Sequence, residues 1–253
     1  MPQSYELGQG SLAELGQGPL EDRVIGRAER QAYHRGMSFA REERTALCAL
    51  LDETGPRAPT LCEGWQTVDL AAHLVLRERR PDAAAGIMGG PLAGHTERVR
   101  RTLVDRTPYR QLVDEIRSGP PRLSVFAIPG MDERLNTVEF FVHHEDVRRG
   151  GDGWEPRDTG AGLAEYLWQR LRGARLIFRK APVGIELVRD DLPTGPGSQR
   201  VRITANARTP MVTVTGTPGE LTMWAMGRTT AARVRFDGSE PDVRKLAHAD
   251  WRV

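Results

Sequence analysis

Glu139 and His143 stand four residues apart in the run NTVEFFVHHEDVRR. On a helix their side chains leave one face and can share a cation through a carboxylate oxygen and an imidazole nitrogen. Val138, Phe140, Phe141 and Val142 make this stretch apolar nearly all round, so an ionised Glu139 buried there needs a cationic partner. His73, in a second apolar segment, is a third ligand of suitable type, and three protein ligands leave a position open for chemistry. Asp146, three residues beyond His143, can orient that imidazole from behind. A register turned by about 100 degrees would bring His144 and Glu145 inward instead, and that alternative stays open. Zinc fits these ligand types, and nickel, iron or manganese would also accept two imidazoles and a carboxylate. His95 reads as solvated beside Gly94, while His34 and His248 lie near the two ends of the chain.

These residues need helices to hold them. Ser38 is a suitable N-cap for a first helix whose buried stripe includes Leu47, Leu50 and Leu51, ended by Gly55 and Pro56. Thr67 is expected to cap a second, with Val68, Leu70, Ala71, Leu74 and Val75 on its apolar side, stopping before Pro81 and carrying His73. The stretch Asp82 to Pro91 has the small residues of a flexible connection, and helical signals return over 95–105 and 109–117. Asn136 or Thr137 is expected to open the helix bearing Glu139 and His143, which runs to Gly150. Asp158 or Thr159 begins another, with Leu163, Tyr166, Leu167, Leu171 and Leu176 supplying its apolar side.

Beyond Pro182 the period changes to two at Val183, Ile185 and Leu187, at Val201 and Ile203, at Val212 and Val214, and at Val234 and Phe236. That is the pattern of half-buried antiparallel strands, with short helices at GELTMWAMGR and from Pro241 to Ala249. Helices followed by strands predict an α+β protein. The expected divisions are a disordered N-terminal tail over 1–36, a helical metal-binding bundle over 37–157 whose last helix extends as far as 180, and a small α+β domain over 181–253. The tail's repeat GQGSLAELGQGPL is too poor in large apolar residues to offset ordering entropy, and Met37 is an alternative natural start.

Composition narrows the function classes. The 253 residues carry a formal charge of only +2 with 28 % charged side chains interleaved by sign, which argues against nucleic acid as a partner. Two cysteines, Cys48 and Cys62, cannot build a disulfide framework and fit a reducing, cytoplasmic setting. Apolar runs break well before the ~18 residues of a membrane span, and the N-terminus lacks signal-peptide character.

The segments LCEGWQTVDLAAHL (Leu61 to Leu74), NTVEFFVHHEDVRR (Asn136 to Arg149) and GELTMWAMGR (Gly219 to Arg228) resemble three signature stretches of the mycothiol-dependent maleylpyruvate isomerase family, within the DinB-like metal-binding superfamily. The likeness extends from about Met37 to the C-terminus and is strongest to an actinobacterial branch described only as metal-binding. It implies a DinB-like four-helix bundle holding zinc through His73, Glu139 and His143, then a small sterol-carrier-like α+β domain, with a low-molecular-weight thiol such as mycothiol as cosubstrate. It also implies an activity-linked arginine in the C-terminal part, for which Arg228 is the matching candidate; the alternative is that Arg228 caps its helix and Trp224 fills the core. Maleylpyruvate specificity is not transferred, because no basic cluster accompanies Arg228.

Three readings follow. The first is a thiol-dependent transferase or isomerase in which the metal activates a thiolate against an electrophilic small molecule. The second is a hydrolase using metal-bound water with Glu145 or Asp146 as base, and the third a non-catalytic metal- and ligand-binding protein. A monomer or homodimer is expected in each case.

Overall fold

A computed structural model of the protein describes residues 38–249, apart from Met88, Leu123, Val125, Ala127, Pro129 and 194–199. The expectations for residues 1–36, for His34 and for Met37 as a start lie outside the described residues. From Ser38 onward the chain forms one compact unit.

Helix α1 (Phe39–Thr54) starts where Ser38 Oγ accepts from the amide of Arg41 and stops at Gly55, whose φ of 72° suits a residue without Cβ. Helix α2 (Thr67–Arg79) is capped by Gln66 rather than Thr67: Gln66 and Asp69 form a reciprocal capping box, and the Thr67 hydroxyl donates instead to the carbonyl of Gly55. A single turn, α3 (Pro81–Ala84), interrupts the stretch expected to be a flexible connection. Then come α4 (Ala93–Arg106) and α5 (Tyr109–Arg117).

Helix α6 (Met131–Arg148) begins five residues earlier than the expected start at Asn136. Small polar residues are frequent caps, yet Asn136 and Thr137 are fully buried in mid-helix, where the Asn136 amide donates to Glu78 Oε1 (2.9 Å) and the Thr137 hydroxyl to the Glu133 carbonyl (2.7 Å). The true first turn carries Asp132 and Glu133, whose charges suit a helix N-terminus. One core unites Leu47 and Leu51 of α1, Leu70 and Leu74 of α2, Leu112 and Ile116 of α5, and Phe140 of α6.

Helix α7 (Gly160–Leu171) belongs to two cores: Leu163 and Leu167 pack with Phe141 and Val142 of α6, while Trp168 and Leu171 pack into the sheet. Two 3-10 turns follow, and Leu176, expected on the apolar side, is 75 % exposed because the helix has already ended. Strands β1 (Gly184–Arg189), β2 (Arg202–Asn206), β3 (Met211–Gly216) and β4 (Arg235–Asp237) form one sheet in the order β2-β1-β3-β4. The expected all-antiparallel pairing is corrected at its centre, where β1 and β3 run parallel in the register Ile185 to Val212 and Leu187 to Val214. A period of two is common to both pairings, so alternation alone does not set strand direction.

Helices α8 (Pro218–Ala225) and α9 (Glu240–His248) cover one face with Leu221, Trp224 and Leu246. The other face carries a groove of about 480 Å³ whose lining includes Glu186, Arg202, Thr213 and Arg235, a polar surface. No helix among the described residues is long and apolar enough to cross a membrane. The fold is α+β: a mostly helical first part followed by a small mixed sheet with its helices.

Candidate metal centre

Helices α2 and α6 bring His73, Glu139 and His143 together, with one potential ligand atom from each lying within 4.8 Å of the others. Glu139 Oε1 is 3.2 Å from Nε2 of His73 and 3.2 Å from Nε2 of His143. The two rings meet edge to face at 5.1 Å between centroids, and both residues are buried. A tetrahedron with corners ~2.0 Å from its centre has edges of about 3.3 Å, so the two carboxylate–imidazole separations are those of neighbouring ligands on a zinc-sized ion. The donor set, two imidazoles and a carboxylate, therefore fits a divalent cation in chemistry and in spacing.

Further polar residues back these three side chains. The Nδ1 of His143 lies 2.8 Å from Asp146 Oδ2, and Asp146 is fully buried. Arg228, in the turn after α8, donates from Nε to Asp146 Oδ1 (2.8 Å) and from Nη2 to Asp146 Oδ2 (2.6 Å). Its Nη1 donates to the carbonyl of Met226 (2.7 Å), so Arg228 also closes the end of its own helix. Trp224 fills the sheet core, stacked on Phe178 at 5.0 Å. Arg228 thus reaches the ligand set through Asp146.

The loop over 59–66 supplies a further wall. Leu61 N–H donates to the Asp146 carbonyl at 3.0 Å, and the Cys62 thiol donates to Asp146 Oδ2 at 3.3 Å. Trp65 packs on the His73 ring at 5.3 Å. The loop approaches so closely that a Cβ on Gly150 would stand 2.1 Å from the Pro59 carbonyl oxygen.

His144 and Glu145 face elsewhere. His144 Nδ1 is 3.0 Å from Glu43, and Glu145 is clasped by Arg148, Arg149 and Arg157. His95 pairs with Asp82 outside the cluster.

Charges in the centre follow from its burial and its partners. Burial holds His73 below the usual imidazole range, outweighing the Glu139 carboxylate that favours its charged form. Burial opposes charge on His143 too, but acceptors at both ring nitrogens, Asp146 foremost, hold it well above that range. Burial likewise opposes charge on Glu139, and hydrogen bonds from His143 and His73 override it, leaving the carboxyl well below the usual range.

Two contributors were not singled out from sequence. Arg77 lies on α2 with Nε 3.3 Å from Glu139 Oε1. Its signal was the spacing of four residues from His73, the same interval that joins Glu139 to His143. In the sequence Cys62 stands out only as one of two cysteines too few for a disulfide framework, and nothing local announces its contact with Asp146.

Residues 39–126 match the family model described as mycothiol maleylpyruvate isomerase N-terminal domain. That stretch of the chain is similar to the N-terminal domain of that family. No curated protein and no solved structure matched. The matched segment of the mycothiol maleylpyruvate isomerase domain includes His73 and Arg77, while Glu139, His143 and Asp146 follow it on α6.

Proposed function

We propose that this chain is a metal-dependent enzyme that joins a low-molecular-weight thiol, mycothiol by family, to an electrophilic small molecule as a transferase or isomerase, with zinc held by His73, Glu139 and His143. The observation that carries the reading is the convergence of two buried imidazoles and a partly buried carboxylate, with a single carboxylate oxygen 3.2 Å from each imidazole. A set of three ligands, rather than the four usual in structural zinc sites, favours catalysis.

When bound, such a cation would act as a Lewis acid that favours thiolate over thiol near neutral pH. The chain's own residues do the rest. Burial favours the neutral form of His73, the form that can ligate. Asp146 accepts a hydrogen bond from Nδ1–H of His143, which turns Nε2 toward Glu139 and His73 as the nitrogen that ligates once its proton has left. Arg228 fixes Asp146 in place. Neither cysteine is needed as a nucleophile: Cys48 is buried with its thiol pushed up to about 11 by burial, and Cys62 is tied to Asp146.

The test is metal analysis of protein purified without a histidine tag, followed by assays with mycothiol, bacillithiol and glutathione against a panel of electrophiles. Turnover that needs both metal and mycothiol is expected, and hydrolysis without any thiol would overturn the thiol's role. His143→Ala is expected to lose the metal while keeping its helical circular dichroism. One retained equivalent of metal would remove His143 from the ligand set.

A further inference from the structure

Glu139 Oε1 faces three partners, the two imidazoles and the guanidinium of Arg77, whose Nε lies 3.3 Å away. Arg77 is not held there by Glu139 alone. Its Nη2 donates to the backbone carbonyl of Leu135 at 2.9 Å, its Nη1 donates to Asn136 Oδ1, and its guanidinium carbon sits 5.0 Å from the centre of the Phe126 ring. Behind it, the Asn136 amide donates to Glu78 Oε1 at 2.9 Å, and Arg44 grips Glu78 with two bonds of 2.8 and 2.7 Å. The guanidinium is therefore anchored to α6 and braced from α1, and it presents a fixed positive charge to the oxygen that faces both imidazoles.

We propose that Arg77 is a positioning residue that holds Glu139 to ligation through one oxygen, keeping a coordination position free for the incoming thiol or substrate. This rests on the metal-centre reading above. A carboxylate near a cation binds through one oxygen or chelates through both, and the balance is set by what else its oxygens touch. A cation fixed beside Oε1 restricts rotation of the carboxylate, which disfavours the turn that chelation needs. Without Arg77, Oε2 is free to swing inward and fill the position that chemistry requires.

Cobalt(II) reports on this directly, because its visible absorption is intense with four ligands and several-fold weaker with five or six. Wild-type protein should bind one equivalent with the intense spectrum. Arg77→Gln should still bind one equivalent, with absorption several-fold weaker and shifted to shorter wavelength. Arg77→Lys keeps the positive charge but lacks the planar fork, so it should fold even if the glutamine variant does not, and should shift the spectrum in the same direction by less. One equivalent bound with an unchanged spectrum in the variants that fold would overturn the role of Arg77. If wild type binds no cobalt, or His143→Ala gives the wild-type spectrum, the metal-centre reading itself falls, and that outcome is separable from the first.

Discussion

Arg228 grips both carboxylate oxygens of Asp146 across 82 residues of sequence, at 2.8 and 2.6 Å, while Asp146 Oδ2 lies 2.8 Å from Nδ1 of His143. Replacing Arg228 by Gln leaves a fully buried carboxylate short of its cation. Removing one partner of a buried pair costs roughly 3–5 kcal/mol, and the 20 % exposure of the Arg228 side chain points to the lower end. Metal affinity should also fall, by about 10- to 100-fold, because the group orienting a ligand has been loosened. Urea unfolding and competition with a chelator measure the two effects. Lost stability with unchanged affinity would break the proposed link to His143.

Cation binding at Nε2 of His143 must displace a proton, since partners at both ring nitrogens hold this imidazole well above its usual range. Affinity should therefore weaken steadily as pH falls below that raised range and through the usual imidazole value near ~6.5. Calorimetry in buffers of different ionisation enthalpy should register proton release on loading. Asp146→Asn, which replaces the anionic acceptor at Nδ1 with a neutral amide, should release fewer protons, and an unchanged count would show that the charge of Asp146 does not set the protonation of His143.

At alkaline pH the first core is the vulnerable region. Burial pushes the Cys48 thiol up to about 11 and the Tyr109 phenol up to about 12. Both acids bind protons more tightly when folded, so their contribution to stability is complete below the unfolded pKa values and is lost as pH rises through the folded ones. Unfolding free energy should decline above about pH 9, and less so in the Cys48→Ala, Tyr109→Phe double variant. In thiol labelling at pH 8, where a thiol of that pKa is only ~0.1 % ionised, Cys48 should react only after unfolding. Fast labelling of native Cys48 would contradict its burial.

Gly150 matters for space. A methyl group there would meet the Pro59 carbonyl at 2.1 Å and Thr60 Cα at 2.7 Å, both backbone atoms with little room to yield. Gly150→Ala should cost about 1–3 kcal/mol by displacing the loop that carries Leu61 and Cys62. A melting temperature equal to wild type would show that the loop is free to move.

The shared face of Glu139 and His143 on α6 was legible because it depends on a single helix: four residues separate them wherever that helix starts. Its start was misread, since Asn136 and Thr137 look like caps until Glu78 and the Glu133 carbonyl are seen to satisfy them. Arg77 could not be assigned from sequence, because its role comes from Leu135, Asn136 and Glu139 on another helix. Nor could the parallel pairing of β1 with β3, which side-chain alternation does not encode. Leu176 continues the apolar pattern of α7 in sequence but not in space, because the helix ends at Leu171.

The chain order of the polar residues that back the three side chains has a consequence for synthesis. A ribosome delivers His73, Glu139 and His143 well before Arg228, and between them lie all of α7, the sheet's first three strands and α8. A nascent polypeptide holding its full complement of donor atoms still lacks the guanidinium that neutralises the carboxylate behind His143. If the proposed metal centre holds, loading is favoured only once nearly the whole polypeptide has been made and folded, and a truncated product would hold its ion less tightly than the finished one.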